Sequence, residues 1–175
     1  MSSHKIIEKM KKILLSMAVA LVGSGAAFAQ HAGQAGLGVN IGVVPVIEGE
    51  GSPTNFTLGA RVQYSATDLI RLNADFNYGF KDNFISTFDA TANVNFMVPL
   101  SQGFYLYPLA GLGYGNINVD LDEFGSTNLS RFVFNVGLGA EYEFNPNFAA
   151  GLEFKYRYMK DYGSLPVMLN FSYKF

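Results

Sequence analysis

Pro166-Val-Met-Leu-Asn-Phe-Ser-Tyr-Lys-Phe175 is the final stretch of the chain, and its side chains alternate in character. Val167, Leu169, Phe171, Tyr173 and Phe175 fall on one side of a two-residue repeat; Met168, Asn170, Ser172 and Lys174 fall on the other. A water-soluble domain seldom finishes on a strand that is apolar along one side and stops at Phe, because termini fray into solvent. An ending of this kind suits a strand whose apolar side meets lipid and whose last ring sits at the membrane boundary.

Working back from that stretch, the same alternation recurs in seven more segments, each bounded by turn-forming residues. They are Gly36–Val46, Phe56–Tyr64, Ile70–Phe80, Thr87–Val98, Phe104–Gly115, Arg131–Phe144 and Phe148–Tyr158. The clearest is Ile70–Phe80, where Ile70, Leu72, Ala74, Phe76, Tyr78 and Phe80 oppose Arg71, Asn73, Asp75, Asn77 and Gly79. The segment Phe104–Gly115 has two candidate outer faces. Leu106, Ala110, Leu112 and Tyr114 are favoured over Tyr105, Tyr107 and Leu109, because that choice gathers Gly111, Gly113 and Gly115 inside. Short connections (Ser65–Asp68, Pro99–Gly103, Asn145–Asn147) alternate with longer ones (Ile47–Asn55, Lys81–Ser86, Asn116–Ser130, Met159–Leu165). Short turns on one side, longer loops on the other and an even strand count predict an all-β, eight-stranded antiparallel up-and-down transmembrane β-barrel.

The N-terminus carries its own signal. Lys9, Lys11 and Lys12 precede the apolar run Ile13–Val22, and Ala27-Phe28-Ala29 places small residues where a signal peptidase reads. Cleavage is expected between Ala29 and Gln30, giving a leader over 1–29 and a barrel over 30–175. The apolar run is too short for the ~20 residues of a spanning helix. Met10-Lys11-Lys12 opens a typical leader by itself, so a start at Met10 is an alternative to Met1. The leader removes four of the twelve basic and one of the fourteen acidic side chains, leaving eight and thirteen and a formal charge of −5. No basic patch remains to hold nucleic acid. Cys is absent, which rules out disulfides, thiolate metal sites and thiol nucleophiles.

Alternation alone does not say which face is inside; volume does. The apolar face carries Phe76, Tyr78, Phe88, Phe96, Phe132, Phe134, Tyr142, Phe144, Phe154, Tyr156, Tyr158, Phe171, Tyr173 and Phe175. An eight-stranded interior is just filled by ordinary side chains, so these rings are expected to face lipid. The alternative, a soluble ligand-binding barrel, puts them inward. Rings near the strand ends fit two interfacial belts, with Tyr and Phe substituting for the absent Trp.

The inward charges are Arg61, Arg71, Arg131, Lys155, Arg157 and Lys174 against Asp75, Asp89, Glu141, Glu143 and Glu153. Near-balanced opposite charges can pair and fill a lumen, whereas an ion path favours a ring of one sign. A structural plug is the preferred reading, a narrow pore the alternative. Of two His residues, His4 leaves with the leader and His31 is expected in a flexible stretch before the first strand, so no strand or outer loop supplies a general base. No enzyme activity is expected, and no cofactor. Asp120, Asp122 and Glu123 are weak candidates for a divalent cation, but they lack the spacing of a dedicated calcium loop.

The leader, the eight segments and the terminal Tyr173-Lys174-Phe175 resemble the small outer-membrane barrels of the OmpA/OmpX and opacity-protein type. Tyr107–Gly115 (Tyr-Pro-Leu-Ala-Gly-Leu-Gly-Tyr-Gly) and Asn135–Tyr142 (Asn-Val-Gly-Leu-Gly-Ala-Glu-Tyr) carry the resemblance within the strands. It implies residence in the outer membrane of a Gram-negative cell, among lipid and lipopolysaccharide, as a monomer. It also implies that Phe171, Tyr173 and Phe175 form the signature read by the barrel-assembly machinery. The family's fold hosts many activities; an envelope-integrity role, with outer loops free for surface contact or adhesion to an unidentified ligand, is the expectation.

Overall fold

The computed structural model describes residues 31–48, 54–82, 85–121 and 125–175, with backbone alone at 48, 81, 120, 121, 125 and 126. The expected leader and its cleavage residues Ala27, Ala29 and Gln30 lie outside the described residues. The strands are β1 (Ala35–Glu48), β2 (Thr54–Ser65), β3 (Ile70–Asp82), β4 (Ile85–Phe96), β5 (Val98–Ser101), β6 (Phe104–Leu121), β7 (Gly125–Glu143), β8 (Phe148–Met159), β9 (Tyr162–Ser164) and β10 (Val167–Lys174).

Two of these are continuations. β5 extends the line of β4 past Met97 and pairs with β6, while β9 and β10 lie end to end between β8 and β1. The result is eight antiparallel walls. β10 pairs with both β8 and β1, so the sheet closes on itself. Closure removes the unpaired edges that an open sheet would leave.

The register fixes the shape. From Asn40 the ladder runs through Gly59, Asn77 and Asp89 to Gly115 on β6. In the other direction it runs through Asn170, Gly151 and Glu141 to Tyr105 on the same strand. The two routes arrive ten residues apart. A stagger of that size around eight walls tilts the strands by roughly 40° to the barrel axis, within the usual range.

Side chains sort as the alternation predicts. All fourteen rings assigned to the apolar face point outward, and most are exposed. On β6, Leu106, Ala110, Leu112 and Tyr114 face out while Tyr105, Tyr107 and Leu109 are buried inside. The soluble inward-facing alternative is therefore overturned: polar and charged groups occupy the centre and rings the periphery. Near the end that carries His31 and Phe175, where the described residues begin and end, Tyr142–Phe144 and Phe148–Tyr173 rings meet at 5.3 and 5.0 Å. Near the opposite end Phe80 meets Tyr78 at 5.4 Å and Phe56 at 5.8 Å.

Several expected loops are shorter than their sequence suggests. The stretch Asn116–Ser130 is mostly a two-stranded ribbon, because β6 and β7 stay paired to Leu121↔Gly125. On β6 there the outward phase falls on Asn116 and Asn118, whereas Ile117, and Val133 just past the stretch on β7, turn inward and are buried. Above the lipid the outside of a barrel meets water, so the hydrophobic phase inverts and the strand no longer reads as one. Pro99–Gly103, expected as a turn, holds most of β5 and then turns at Gln102-Gly103, where Gly103 has φ +77°. Met159–Leu165 contains β9. Its turn places Asp161 at φ 65°, a left-handed conformation that costs a side-chain-bearing residue. Asp161→Gly is expected to stabilise the barrel by about 0.5 kcal/mol, read as a higher urea midpoint in lipid vesicles; an unchanged or lower midpoint contradicts the strain.

Candidate functional site

The distinctive chemistry lies inside the barrel. Residues of the inward phase on eight different strands converge there because each strand directs every second side chain to the centre. At mid-height, Arg61 from β2 stands between Asp75 of β3 and Glu153 of β8. Its Nε and Nη2 donate to Asp75 at 2.6 and 2.9 Å, and its Nη1 and Nη2 donate to Glu153 at 2.6 and 2.9 Å. Both faces of the guanidinium fork are thus used in paired contacts. Lys155 of β8 adds contacts to Glu153 at 2.7 Å and Asp75 at 3.3 Å. Tyr107 donates its hydroxyl to Glu153 at 2.9 Å, and Asn93 and Asn40 donate to Asp75 at 3.1 and 3.3 Å. Asp75 and Glu153 have no solvent exposure at all, 0 % in each case.

Two further groups flank this centre. Toward the hairpin end, Arg157 donates to Asp89 at 2.8 and 3.1 Å, and Asn77 donates to the same carboxylate at 2.9 Å. Toward the termini, Glu141 accepts from Arg71 at 2.7 Å and from Lys174 at 2.8 Å, and Lys174 also contacts Glu143. Ten of the eleven charged residues assigned to the lumen are joined in these groups, five of each sign. Burial of ionised groups is costly unless each is paired and hydrogen-bonded; this arrangement meets that condition.

Arg131 departs from the expectation. It has the inward phase but sits half-buried where β7 leaves the barrel, and its Nη1 reaches the Ser130 carbonyl oxygen at 3.4 Å. It belongs to the rim, outside the three joined groups. Of the acidic trio, Asp122, Glu123 and the side chain of Asp120 lie outside the described residues.

His31 requires a correction. Rather than occupying a flexible stretch, its ring is buried at the terminal mouth of the barrel. Nε2 lies 2.9 Å from the Tyr105 hydroxyl and 3.5 Å from Glu143, while Nδ1 lies 3.2 Å from the Gln34 side chain. The backbone N–H groups of His31 and Ala32 both donate to Asp68, at 2.8 and 3.1 Å. The segment precedes the first periodic residue, so alternation gave no reason to expect it to be held.

Apolar clusters complete the filling, and periodicity named them only as competitors for the outer face or not at all. Met97, Tyr105, Tyr107 and Leu109 pack together in the half nearer the termini. Ile117, Val133 and Met159 pack near the hairpin end, with Ile85, Val119 and Tyr162 against them. Tyr107 needs Gly139 beside it: a Cβ there would lie 2.3 Å from the ring's Cζ. A glycine in the inward phase next to a large inward ring was the available signal.

An interior of paired charges, amides and packed apolar groups can fix a barrel's shape and exclude water. The sequence profile of the outer membrane protein beta-barrel domain matches residues 15–175. Among solved structures, the fold is similar to Neisserial surface protein A, with a TM-score of 0.72 at 17% identity over 82% of this chain and 99% of that one. The N-terminal β-barrel domain of OprF from Pseudomonas aeruginosa gives 0.62 at 20% identity, again over 82% and 99%. Ail, the attachment invasion locus protein of Yersinia pestis, gives 0.59 at 20% identity over the same shares. Among curated proteins no sequence matches.

Proposed function

Because the chain belongs to the outer membrane protein beta-barrel domain family, and therefore to the Gram-negative outer membrane, we propose that it is a non-enzymatic barrel serving envelope integrity. The observation that carries this reading is the filled lumen: Arg61, Asp75, Glu153 and Lys155 interlock where a conducting path would run. Imidazole, the usual general base, is confined to the terminal mouth among the described residues, on Tyr105 rather than beside a nucleophilic Ser. The outward rings would contact lipid and the acyl chains of lipopolysaccharide, and Phe171, Tyr173 and Phe175 would engage the assembly machinery. The closure of the sheet within one chain, through β10 paired to both β8 and β1, supports a monomer as the working unit.

Single-channel recording tests the sealed lumen. Purified barrel in planar bilayers is expected to give no steady open level. A stable, large conductance would overturn the plug in favour of a narrow pore. The surface role is tested in a deletion strain, which should show raised envelope permeability to a large hydrophobic dye; unaltered permeability, with reduced cell attachment, would move the function wholly to the surface.

A further inference from the structure

The segment ahead of β1 is anchored to walls far from its own. Gly33 donates its N–H to the Ser65 carbonyl at 2.7 Å, and Ser65 donates back to Gln34 at 2.9 Å. His31 reaches farther. Its ring lies edge-on to that of Tyr105, with centroids 5.6 Å apart, and Tyr105 stands on β6, the wall opposite β1 in the closed sheet. Residues 31–34 therefore lie across the mouth at the Phe175 end.

The partners of the ring fix where its hydrogens belong. Gln34 donates its Nε2 to the Pro146 carbonyl oxygen at 3.3 Å, so its Oε1 is the atom turned toward His31 Nδ1, 3.2 Å away. An amide oxygen only accepts, and Nδ1 therefore carries a hydrogen. Nε2 faces the Tyr105 hydroxyl at 2.9 Å and the Glu143 carboxylate at 3.5 Å. A hydroxyl donates or accepts and serves either form of the ring; a carboxylate only accepts. A neutral ring turns a bare lone pair toward Glu143, whereas an imidazolium presents a second N–H.

The charges gathered around the ring are one cation short. Asp68, from the β2–β3 turn, accepts from the backbone N–H groups of His31 and Ala32. Glu141 and Glu143 come from β7, Lys174 of β10 contacts both, and Arg71 of β3 contacts Glu141. Three carboxylates thus meet two fixed cations, and a protonated His31 brings the cluster to balance.

We propose that His31 is a proton-operated clasp: its imidazolium form pins residues 31–34 across the mouth, and loss of the Nε2 proton slackens their hold. The clasp goes beyond the envelope role and acts whether or not the lumen conducts. The docked ring has a use for the second proton that the ring of an unfolded chain lacks. Stability contributed here is therefore present in acid and lost as pH rises.

The test uses the whole barrel refolded in phosphatidylcholine vesicles. The chain has no Cys and Ala32 is exposed, so Ala32→Cys takes a single nitroxide spin label. Spectra are recorded at about pH 5 and at about pH 8, the window in which imidazole changes charge. The label is expected to be immobilised at the lower pH and mobile at the higher. The urea unfolding constant should rise about tenfold more between them in the parent than in His31→Gln, the worth of one charge-assisted hydrogen bond. Other groups that titrate in this window cancel in that comparison. Glu143→Gln should flatten the response as well, whereas a ring held by packing alone would leave it intact. Should His31→Gln fail to refold, the parent and Glu143→Gln decide by the same readings. Equal mobility at both pH values, an undiminished response in either variant, or tighter docking at the higher pH overturns the clasp. Heat-modifiable gel mobility reports the barrel in every sample, and its loss in the parent would instead count against the barrel reading.

Discussion

Arg61→Met should destabilise the barrel by about 3–5 kcal/mol, the usual consequence of removing one partner from a buried ion pair. Arg61 is the only group that contacts both Asp75 and Glu153 through paired nitrogens among the described residues. Without it, Lys155 alone must neutralise two carboxylates that have no access to water. The substitution keeps the aliphatic stem and removes the guanidinium, so the loss combines charge, hydrogen bonding and the space the fork had filled. Urea unfolding in lipid vesicles, followed by gel mobility, measures it. Adding Glu153→Gln to Arg61→Met should recover part of the loss, because the deficit lies in the uncompensated carboxylate. A loss below about 1 kcal/mol would mean that solvent reaches these carboxylates, and the sealed centre would have to be abandoned.

Leu138→Arg is expected to cost about 2–4 kcal/mol, the penalty for a cation on the lipid face near the bilayer midplane. Leu138 lies on the outer face of β7, opposite Phe154 and Pro108, and is 64% exposed. In a water-soluble barrel an arginine at so open a position would be harmless. Asn128→Arg, on the same strand above the lipid, serves as the control and should change stability by less than about 0.5 kcal/mol. Equal tolerance of the two substitutions would place the outer surface in water and contradict the whole architecture.

The strands embedded in lipid were legible because their two faces meet opposite environments, which writes period two into the residues. Ile70–Phe80 shows it in full, and the inward charges it names are the ones that pair. Legibility ended where environment changed. Beyond Tyr114 both sides of the ribbon face polar surroundings or a small apolar plug, so Asn116–Leu121 reads as loop although it is strand. His31 was missed for a different reason: a single side chain docked by Tyr105 and Asp68 leaves no periodic trace. Arg131 had the correct phase but the wrong height. Phase follows from counting by two, whereas height depends on the stagger between strands, which only the register reveals. Partner identities among the charges were unreadable for the same reason, Arg61 and Glu153 being 92 residues apart in the chain.

The seam between β1 and β10 sets the order of events during folding. Gly36 lies opposite Lys174, and Ala35 and Phe175 exchange backbone hydrogen bonds at 3.2 and 2.8 Å. No hairpin can form this pairing early, since the intervening strands must be ordered before the first and the last meet. Loop-closure entropy makes such contacts slow. Until the last strand arrives, the nascent sheet exposes two raw borders to the bilayer, which has no water to satisfy them. A nascent chain cut short before Val167 would therefore have no arrested half-barrel to rest in, and quality control should meet it as an unfolded chain.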